Sequence, residues 1–299
     1  MIFTLHEERA LIDWIQHVKA PYKRNIHQKP AQSYSPMSTL KNTVSDEQKD
    51  QALSSTLALS VVVPVMNEVD NVEPLISEIA AALRGRETFE IIYVDDGSTD
   101  GTPARLVELT NPYPELRVFG HKVCCGQSSA IITGVRHAKA PLIATLDGDG
   151  QNDPADIPAL LERARASENS EQTMVAGWRA KRRDTFIRRL SSKVANSIRS
   201  TMLKDLTPDT GCGLKIFARE AFMRMPQFNH MHRFLPALMI RGGGEVVSVE
   251  VNHRAREHGT SKYGVWNRLW VGIVDVRGVM WLIRRPVRPV VEQLKRPDA

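Results

Sequence analysis

From Leu57 onward, short apolar runs alternate with segments whose apolar residues recur at helical spacing. An unbroken apolar run is typical of a strand that is buried on both faces, and amphipathic helices provide the cover for such strands. The runs of this kind are LALSVVVPV, FEIIYVDD, LRVFG and PLIATLD. The sequence therefore predicts an α/β fold, in which a mostly parallel sheet carries helices on both faces.

The alternating segments occupy the middle of a chain of 299 residues. Residues 1–56 are polar and lack a sustained apolar period, so we expect a disordered or linker-like extension there. Residues 57–252 are predicted to form the α/β domain. Residues 253–299 are predicted to form a basic loop followed by an amphipathic helix.

Acidic residues follow three of the predicted strands, in the segments PVMNE, VDDGSTDGT and LDGDGQNDP. Ligands of parallel sheets bind beyond the carboxyl ends of the strands, so we expect these three loops to share one crevice. That many carboxylates need a cation or a shared proton. Taken singly, each segment also has an ordinary explanation, as a strand-to-helix turn or as compensation of a helix dipole.

The loop LDGDGQNDP has the composition of a site for a divalent metal ion. Mg²⁺ or Mn²⁺ is held by one or two carboxylates while substrate phosphates fill its other positions. Asp147 and Asp149 form an Asp-x-Asp pair of this kind, and Gln151 is a plausible third oxygen ligand. The alternative is a solvated acidic turn that precedes a helix beginning at Pro154.

Five segments occur in the order PVMNE, VDDGSTDGT, HKVCCGQSSAIITGVRHAKA, LDGDGQNDP and GWRAKRRD. Together they resemble the family 2 glycosyltransferases with the GT-A fold, and most of all the polyprenyl-phosphate sugar synthases of the dolichol-phosphate mannose synthase type. The similarity runs from Leu59 to Trp281. It implies a metal-dependent, inverting transfer of a hexose-type sugar from a UDP- or GDP-sugar to a polyprenyl phosphate, with Mg²⁺ or Mn²⁺ as cofactor.

The resemblance also implies roles for single residues on the donor side. Asp147, Asp149 and Gln151 are expected to hold the metal ion on the donor diphosphate. Arg179, in GWR, is expected to contact phosphate, although an ordinary basic surface run is the alternative. The residues expected to bind the nucleotide-sugar are Pro64, Asn67, Glu68, Asp95 or Asp96, Asp147 and Arg179.

On the acceptor side, DTGCGLKIFAR (209–219) and VNHRAREHGTSKYG (251–264) resemble two loops of the same family. A phosphate monoester is largely anionic at neutral pH, so a strong general base is optional. Asp149 or Asp153 is expected to assist or steer the acceptor, although Asp153 serves equally well as a helix cap. The residues expected to hold the acceptor phosphate, unless their loop is merely solvated, are Arg254, Arg256, Ser261, Lys262 and Tyr263.

The end of the chain carries the basic charge. Between His253 and Arg296 there are ten Lys or Arg against three acids, whereas the whole chain has a formal net charge of +6. Tryptophan and basic residues on an amphipathic helix favour binding at a lipid interface, and packing against the domain is the alternative. No apolar run reaches transmembrane length, so we expect a peripheral protein or one held by an integral membrane partner. The residues at helical spacing are Trp266, Leu269, Trp270, Ile273 and Met280.

The three cysteines, Cys124, Cys125 and Cys212, lack the spacing of a metal site or a disulfide framework, and the first residues do not resemble a signal peptide. These features favour the cytoplasmic face of a membrane. Two other functions stay open: a glycosyltransferase with a saccharide or other hydroxyl acceptor, and a non-catalytic sugar-nucleotide binder at the membrane surface. The intact Asp-x-Asp pair disfavours the second. No nucleic-acid partner is expected.

Overall fold

The computed structural model describes residues 57–180, 202, 203, 205, 207–254 and 265–287. The predicted extension over residues 1–56 lies outside this part of the chain. The strands, in chain order, are β1 (Leu59–Val65), β2 (Phe89–Asp95), β3 (Leu116–Gly120), β4 (Leu142–Thr145), β5 (Thr173–Trp178), β6 (Lys215–Ala218) and β7 (Glu245–Glu250).

Proline occupies one of the first two positions in three of the α-helices, where its missing N–H costs nothing. The α-helices are α1 (Val69–Leu83), α2 (Thr102–Leu109), α3 (Gln127–His137), α4 (Ile157–Arg165), α5 (Arg219–Met223), α6 (Leu235–Arg241) and α7 (Val265–Ile283). Short 3₁₀ turns span Pro154–Asp156, Ser170–Gln172 and Met231–Arg233.

The seven strands form one sheet in the order β3-β2-β1-β4-β6-β5-β7. Neighbouring strands are parallel except where β6 pairs with β4 and β5. The reversed strand β6 therefore begins at the edge of the sheet where the other six strands end. The prediction of a mostly parallel sheet is confirmed.

Apolar side chains cover both faces of the sheet, because successive side chains of a strand point to opposite faces. In β1, Val61 and Val63 belong to a core shared with α1, α2 and α4. Val62, which lies between them, belongs to a second core shared with α3, α5 and α6. Val279 of α7 is buried in this second core, so the C-terminal helix packs against the domain through part of its surface.

The parallel pairing brings three loops to one edge of the sheet. β1 lies between β2 and β4, with Val65 opposite Asp95 and Val62 opposite Thr145. The loops that follow these three strands are therefore neighbours in space. Within the described ranges, no helix combines the length and the apolarity that crossing a bilayer requires.

Candidate active site

A cleft of about 440 Å³ lies at the carboxyl ends of β1, β2 and β4. Its wall includes Pro64 and Glu68 from the end of β1, Asp96 from the end of β2, and Asp147 and Asp149 from the loop after β4. The structure thus brings together the three acidic loops that the sequence predicted to converge. Other parts of the wall come from residues 210–213, from His232, Arg233 and Leu235, and from the region of α3, including Gly126 and Gln127.

Asn67 joins the first two loops. Its backbone has a φ of 54°, in the left-handed region that asparagine tolerates better than most residues. Its N–H donates to Ser98 Oγ at 2.8 Å, and its side-chain Oδ1 accepts from the N–H of Thr99 at 2.7 Å. Asn67 is absent from the residues that line the cleft, so its contact with a nucleoside stays a prediction.

The two aspartates after β2 differ in their surroundings. Asp95 is buried outside the cleft wall and accepts hydrogen bonds from the N–H and the hydroxyl of Ser98, which closes the turn after the strand. Asp96 lines the cleft. Of the two alternatives that the sequence left open, Asp96 is therefore the one within reach of a ligand in the cleft.

Both oxygens of Asp96 already have donors from the segment before α3. Oδ1 accepts from the N–H of Cys125 at 2.8 Å and lies 2.8 Å from His121 Nδ1, while Oδ2 accepts from the N–H of Gly126 at 2.7 Å and from the Cys124 thiol. Burial alone would raise the pKa of Asp96, but these hydrogen bonds outweigh it and lower the pKa. The carboxylate thus holds the segment 121–126 in place, and a direct contact with the nucleoside stays a prediction.

Asp147 lies in the cleft wall together with Asp149. Its Oδ1 accepts from Gln127 Nε2 at 2.8 Å. Burial and then the charge of Asp149 raise its pKa, while the charges of Lys215 and Arg179 act in the opposite direction. A cation beside Asp147 and Asp149 would relieve the repulsion between the two carboxylates.

These two carboxylates suit a divalent metal ion. Mg²⁺ and Mn²⁺ prefer hard oxygen ligands and leave several coordination positions for substrate phosphates. Two aspartates on a cleft wall are therefore enough ligands from the protein. Gln151 lies outside the cleft wall, and its backbone N–H donates to Asp149 Oδ1 at 3.2 Å. Its part as a third ligand stays a prediction.

Asp153 caps the 3₁₀ turn that precedes α4. Its Oδ1 accepts from the N–H of Ala155 at 3.0 Å, and it forms an ion pair with Arg254 at 2.6 Å. Arg254 also contacts both carboxylate oxygens of Glu78 at 2.8 Å. Asp153 therefore acts as a helix cap in the structure. Asp153 and Arg254 both contact protein partners, and neither lines the cleft. Their predicted roles toward the acceptor stay predictions.

Arg179 makes a two-pronged ion pair with Asp209. Its Nε and Nη2 donate to the two oxygens of Asp209 at 2.6 and 2.9 Å, and its side chain is 10% exposed. This pair holds the end of β5 against the segment that contains Gly211 and leads into β6. A solvated surface run is therefore the wrong description of Arg179, whereas its contact with phosphate stays a prediction.

The reversed strand β6 brings a cation to the cleft that sequence reasoning missed. Lys215, the first residue of β6, pairs with Thr145 at the end of β4. Its buried ammonium group donates to the carbonyl of Cys212, and burial lowers its pKa. A lysine within the otherwise apolar run GLKIFA was the signal that the sequence offered.

A histidine that the sequence analysis did not select forms another part of the wall. His232 lines the cleft, and its Nδ1 lies 2.8 Å from Ser128 Oγ in the first turn of α3. Burial, followed by the charges of Arg233, Lys215 and His230, lowers the pKa of His232 to about 3. The imidazole is therefore neutral at physiological pH.

We expect His232 to make the folded protein sensitive to mild acid. The unfolded chain takes up a proton near pH 6.5, whereas the folded state does so only near pH 3, so stability is complete above pH 6.5 and falls between these values. The urea midpoint should drop between pH 7.5 and pH 5, and His232→Asn should flatten that drop. An equal drop in His232→Asn and in a control, the exposed His137→Asn, would contradict this assignment.

Some predicted residues lie outside the described part of the chain. They are Arg256, Ser261, Lys262 and Tyr263, which were expected to hold the acceptor phosphate together with Arg254. The side chains at the first predicted interface positions of the C-terminal helix, Trp266, Leu269, Trp270 and Ile273, also lie outside it. Of that helical pattern, Met280 is described, and it packs against the second core.

Comparison with known proteins finds a matching family model and similar curated proteins, two of which are described here. The family model described as glycosyl transferase family 2 matches residues 60–225. The dodecaprenyl-phosphate galacturonate synthase of Rhizobium johnstonii is 37% identical over 239 residues, which cover 78% of this chain and 70% of that protein. The undecaprenyl-phosphate 4-deoxy-4-formamido-L-arabinose transferase of Edwardsiella ictaluri is 33% identical over 210 residues, which cover 69% of this chain and 63% of that protein.

Solved structures share the fold. The glucosyl-3-phosphoglycerate synthase of Mycobacterium tuberculosis, in complex with Mn²⁺, UDP and glucosyl-3-phosphoglycerate, matches with a TM-score of 0.58 at 18% identity. The match covers 84% of this chain and 86% of that one. The same synthase has also been solved with Mg²⁺ and UDP. The fold expected from the resemblance, GT-A, is thereby confirmed.

Proposed function

Because the chain belongs to glycosyl transferase family 2, we propose that it transfers a sugar from a nucleotide-sugar to a polyprenyl phosphate. The observation that carries the proposal is the cleft, in which Asp147 and Asp149 stand beside the loops that follow β1 and β2. Both relatives named above act, by their names, on a polyprenyl phosphate. They support this class of acceptor for the present chain.

The identity of the sugar is the less constrained part of the proposal. One relative is named for galacturonate, a six-carbon sugar acid, and the other for a substituted arabinose, a five-carbon sugar. A hexose-type donor, carried by UDP or GDP, therefore stays a prediction.

The proposed reaction joins an acceptor phosphate oxygen to the anomeric carbon of the donor sugar. As that bond forms, the bond from the anomeric carbon to the donor diphosphate breaks, and the nucleoside diphosphate leaves with the electron pair. Attack from the side opposite the leaving group inverts the anomeric centre. The acceptor oxygen is already anionic, so the chain's main task is to align it with the anomeric carbon.

Asp147 and Asp149 would hold Mg²⁺ or Mn²⁺ on the donor diphosphate. When bound, the ion would stabilise the negative charge that builds up on the leaving group. Gln127 orients Asp147 through the hydrogen bond of 2.8 Å, and Gly213 packs directly against the same carboxylate. Asp149 remains the candidate for steering the acceptor, since it lines the cleft whereas Asp153 is engaged outside it.

A peripheral position on the cytoplasmic face of a membrane belongs to the same proposal. Helix α7 exposes Val274 and Trp281, and Val287 follows it with 85% exposure. Arg285 lies over the Trp281 ring, 4.9 Å from its centre. Exposed aromatic and aliphatic side chains beside arginine support binding at a lipid interface, either by the chain alone or beside an integral membrane partner.

We expect the protein to make a lipid-linked monosaccharide. The test incubates it with a short polyprenyl phosphate, Mn²⁺ and a panel of UDP- and GDP-sugars that includes a uronic acid donor, and detects the product by mass spectrometry. The matched control is the corresponding polyprenol, which lacks the phosphate and should accept nothing. Transfer to saccharides alone would favour a hydroxyl acceptor, and nucleotide binding without any transfer would favour a non-catalytic binder.

A further inference from the structure

One arginine of the cleft wall has no partner in the described part of the chain. Arg233 ends the 3₁₀ turn Met231–Arg233 and lines the cleft, and its exposed guanidinium group makes no hydrogen bond or ion pair there. The other cations near the cleft are engaged: Arg179 with Asp209, Arg254 with Glu78 and Asp153, and Lys215 with the Cys212 carbonyl.

The turn that presents Arg233 is fixed on its outer side by the C-terminal helix. His230, directly before the turn, has a φ of 65°, in the left-handed region that few side chains adopt. Its Nδ1 lies 2.9 Å from Asp275 Oδ2 of α7, and its N–H donates to Asn229 Oδ1 at 2.9 Å. Asp275 thus anchors the start of the turn.

The inner side of the turn is fixed by α3. The N–H of His232 donates to Ser128 Oγ at 3.2 Å, in addition to the contact between the same hydroxyl and the imidazole. Met231 and Phe234, on either side of the exposed arginine, are buried in the second core. The backbone of Arg233 is therefore held in place before any ligand arrives, which lowers the entropic cost of binding.

We infer that Arg233 binds the phosphate of the acceptor. This inference rests on the proposed function, in which the donor diphosphate is held by the metal ion at Asp147 and Asp149. A second anion in the same cleft then needs its own cation, and Arg233 offers a planar group able to make two parallel hydrogen bonds to phosphate. The acceptor oxygen and the donor sugar would thereby share one cleft.

Arg233 is better placed than Arg254 to hold the acceptor phosphate. The sequence pointed to the basic loop over residues 251–264, whose described member Arg254 contacts two carboxylates. Moving Arg254 to a phosphate would leave Glu78 and Asp153 without their cation, whereas Arg233 gives up no ion pair. His230 and Asp275 are positioning residues in this arrangement, since they act through the turn.

The test compares Arg233→Ala with Arg224→Ala, an exposed arginine at the end of α5 that lies outside the cleft wall. A hydrogen bond to a charged group contributes about 1.5–3 kcal/mol, so Arg233→Ala should raise KM for a short polyprenyl phosphate by about 10- to 100-fold. KM for the nucleotide-sugar should stay unchanged, Arg233→Lys should recover part of the loss, and Arg224→Ala should match the wild type. Asp275→Asn should raise the acceptor KM by a smaller factor.

The possible failures are distinct from one another. An unchanged acceptor KM in Arg233→Ala, with normal transfer by the wild type, would overturn the inference alone. A rise confined to the donor KM would assign Arg233 to the nucleotide-sugar and would overturn it as well. If the wild type fails to use any polyprenyl phosphate while it still binds nucleotide, the proposed function falls, and this inference falls with it.

Discussion

Asp149→Asn should reduce transfer at least about 100-fold, because a metal ion contributes several kcal/mol of charge stabilisation and each 1.36 kcal/mol is tenfold in rate. The amide keeps the size of the side chain but loses the charge that would hold the ion. Within the described residues, the Asp149 carboxylate accepts a hydrogen bond from the N–H of Gln151 at 3.2 Å, and an amide oxygen can accept the same bond. The free energy of unfolding should therefore change little.

The measurement pairs steady-state transfer with urea unfolding and with titration of Mn²⁺. The control is Asp70→Asn, which removes an exposed acid from the first turn of α1, outside the cleft wall. Asp70→Asn should transfer sugar normally. Undiminished transfer and unchanged Mn²⁺ affinity in Asp149→Asn would remove Asp149 from both the metal site and the reaction.

Gly213→Ala should damage the site through a single methyl group. A Cβ at this position would lie 2.5 Å from Asp147 Cγ and 2.8 Å from Asn152 Oδ1, closer than packed atoms approach. Asp147 has to move, and a displacement of about 1 Å in a reacting arrangement can cost about 100-fold in rate. We expect kcat to fall by about that factor, with a loss of about 1–3 kcal/mol in stability from overpacking.

Gly120→Ala is the matched control, because a Cβ there meets no atom within 4 Å and the backbone needs no positive φ. A crystal structure of Gly213→Ala with the Asp147 carboxylate displaced would agree with the kinetic loss. If the variant transfers sugar at the wild-type rate with unchanged stability, the close packing of Gly213 on Asp147 has no importance for the reaction.

The sequence predicted the sheet and the meeting of the three acidic loops because both follow from short-range patterns. Uninterrupted apolar runs identify strands buried on two faces, and parallel strands place their following loops at one edge. Asp147, Asp149 and Glu68 were found in this way. The reversal of β6 was not predicted, since the direction of a strand depends on how the chain crosses the sheet and leaves no local mark on four residues.

The sequence did not predict which groups the charged residues contact. Arg179 was selected as a phosphate contact, and its pairing with Asp209, 30 positions later, arises from tertiary packing. Asp96 was selected as an acid in a crevice, and its four hydrogen-bond donors come from a segment more than 20 residues away. His232 lies in NHMHRF, a segment without a familiar motif, and its place in the cleft wall follows from tertiary packing, which includes its contact with Ser128.

The reversal of β6 places a short segment that belongs to no strand at the cleft. Because β6 starts where its neighbours end, the chain reaches the cleft before it enters this strand, in the short segment 209–214, which is tied to β5 by the pair of Arg179 and Asp209. Four of its residues, 210–213, line the cleft, and none of them belongs to a strand. The wall of the cleft can therefore differ in sequence at these positions while the residues of the seven described strands stay the same.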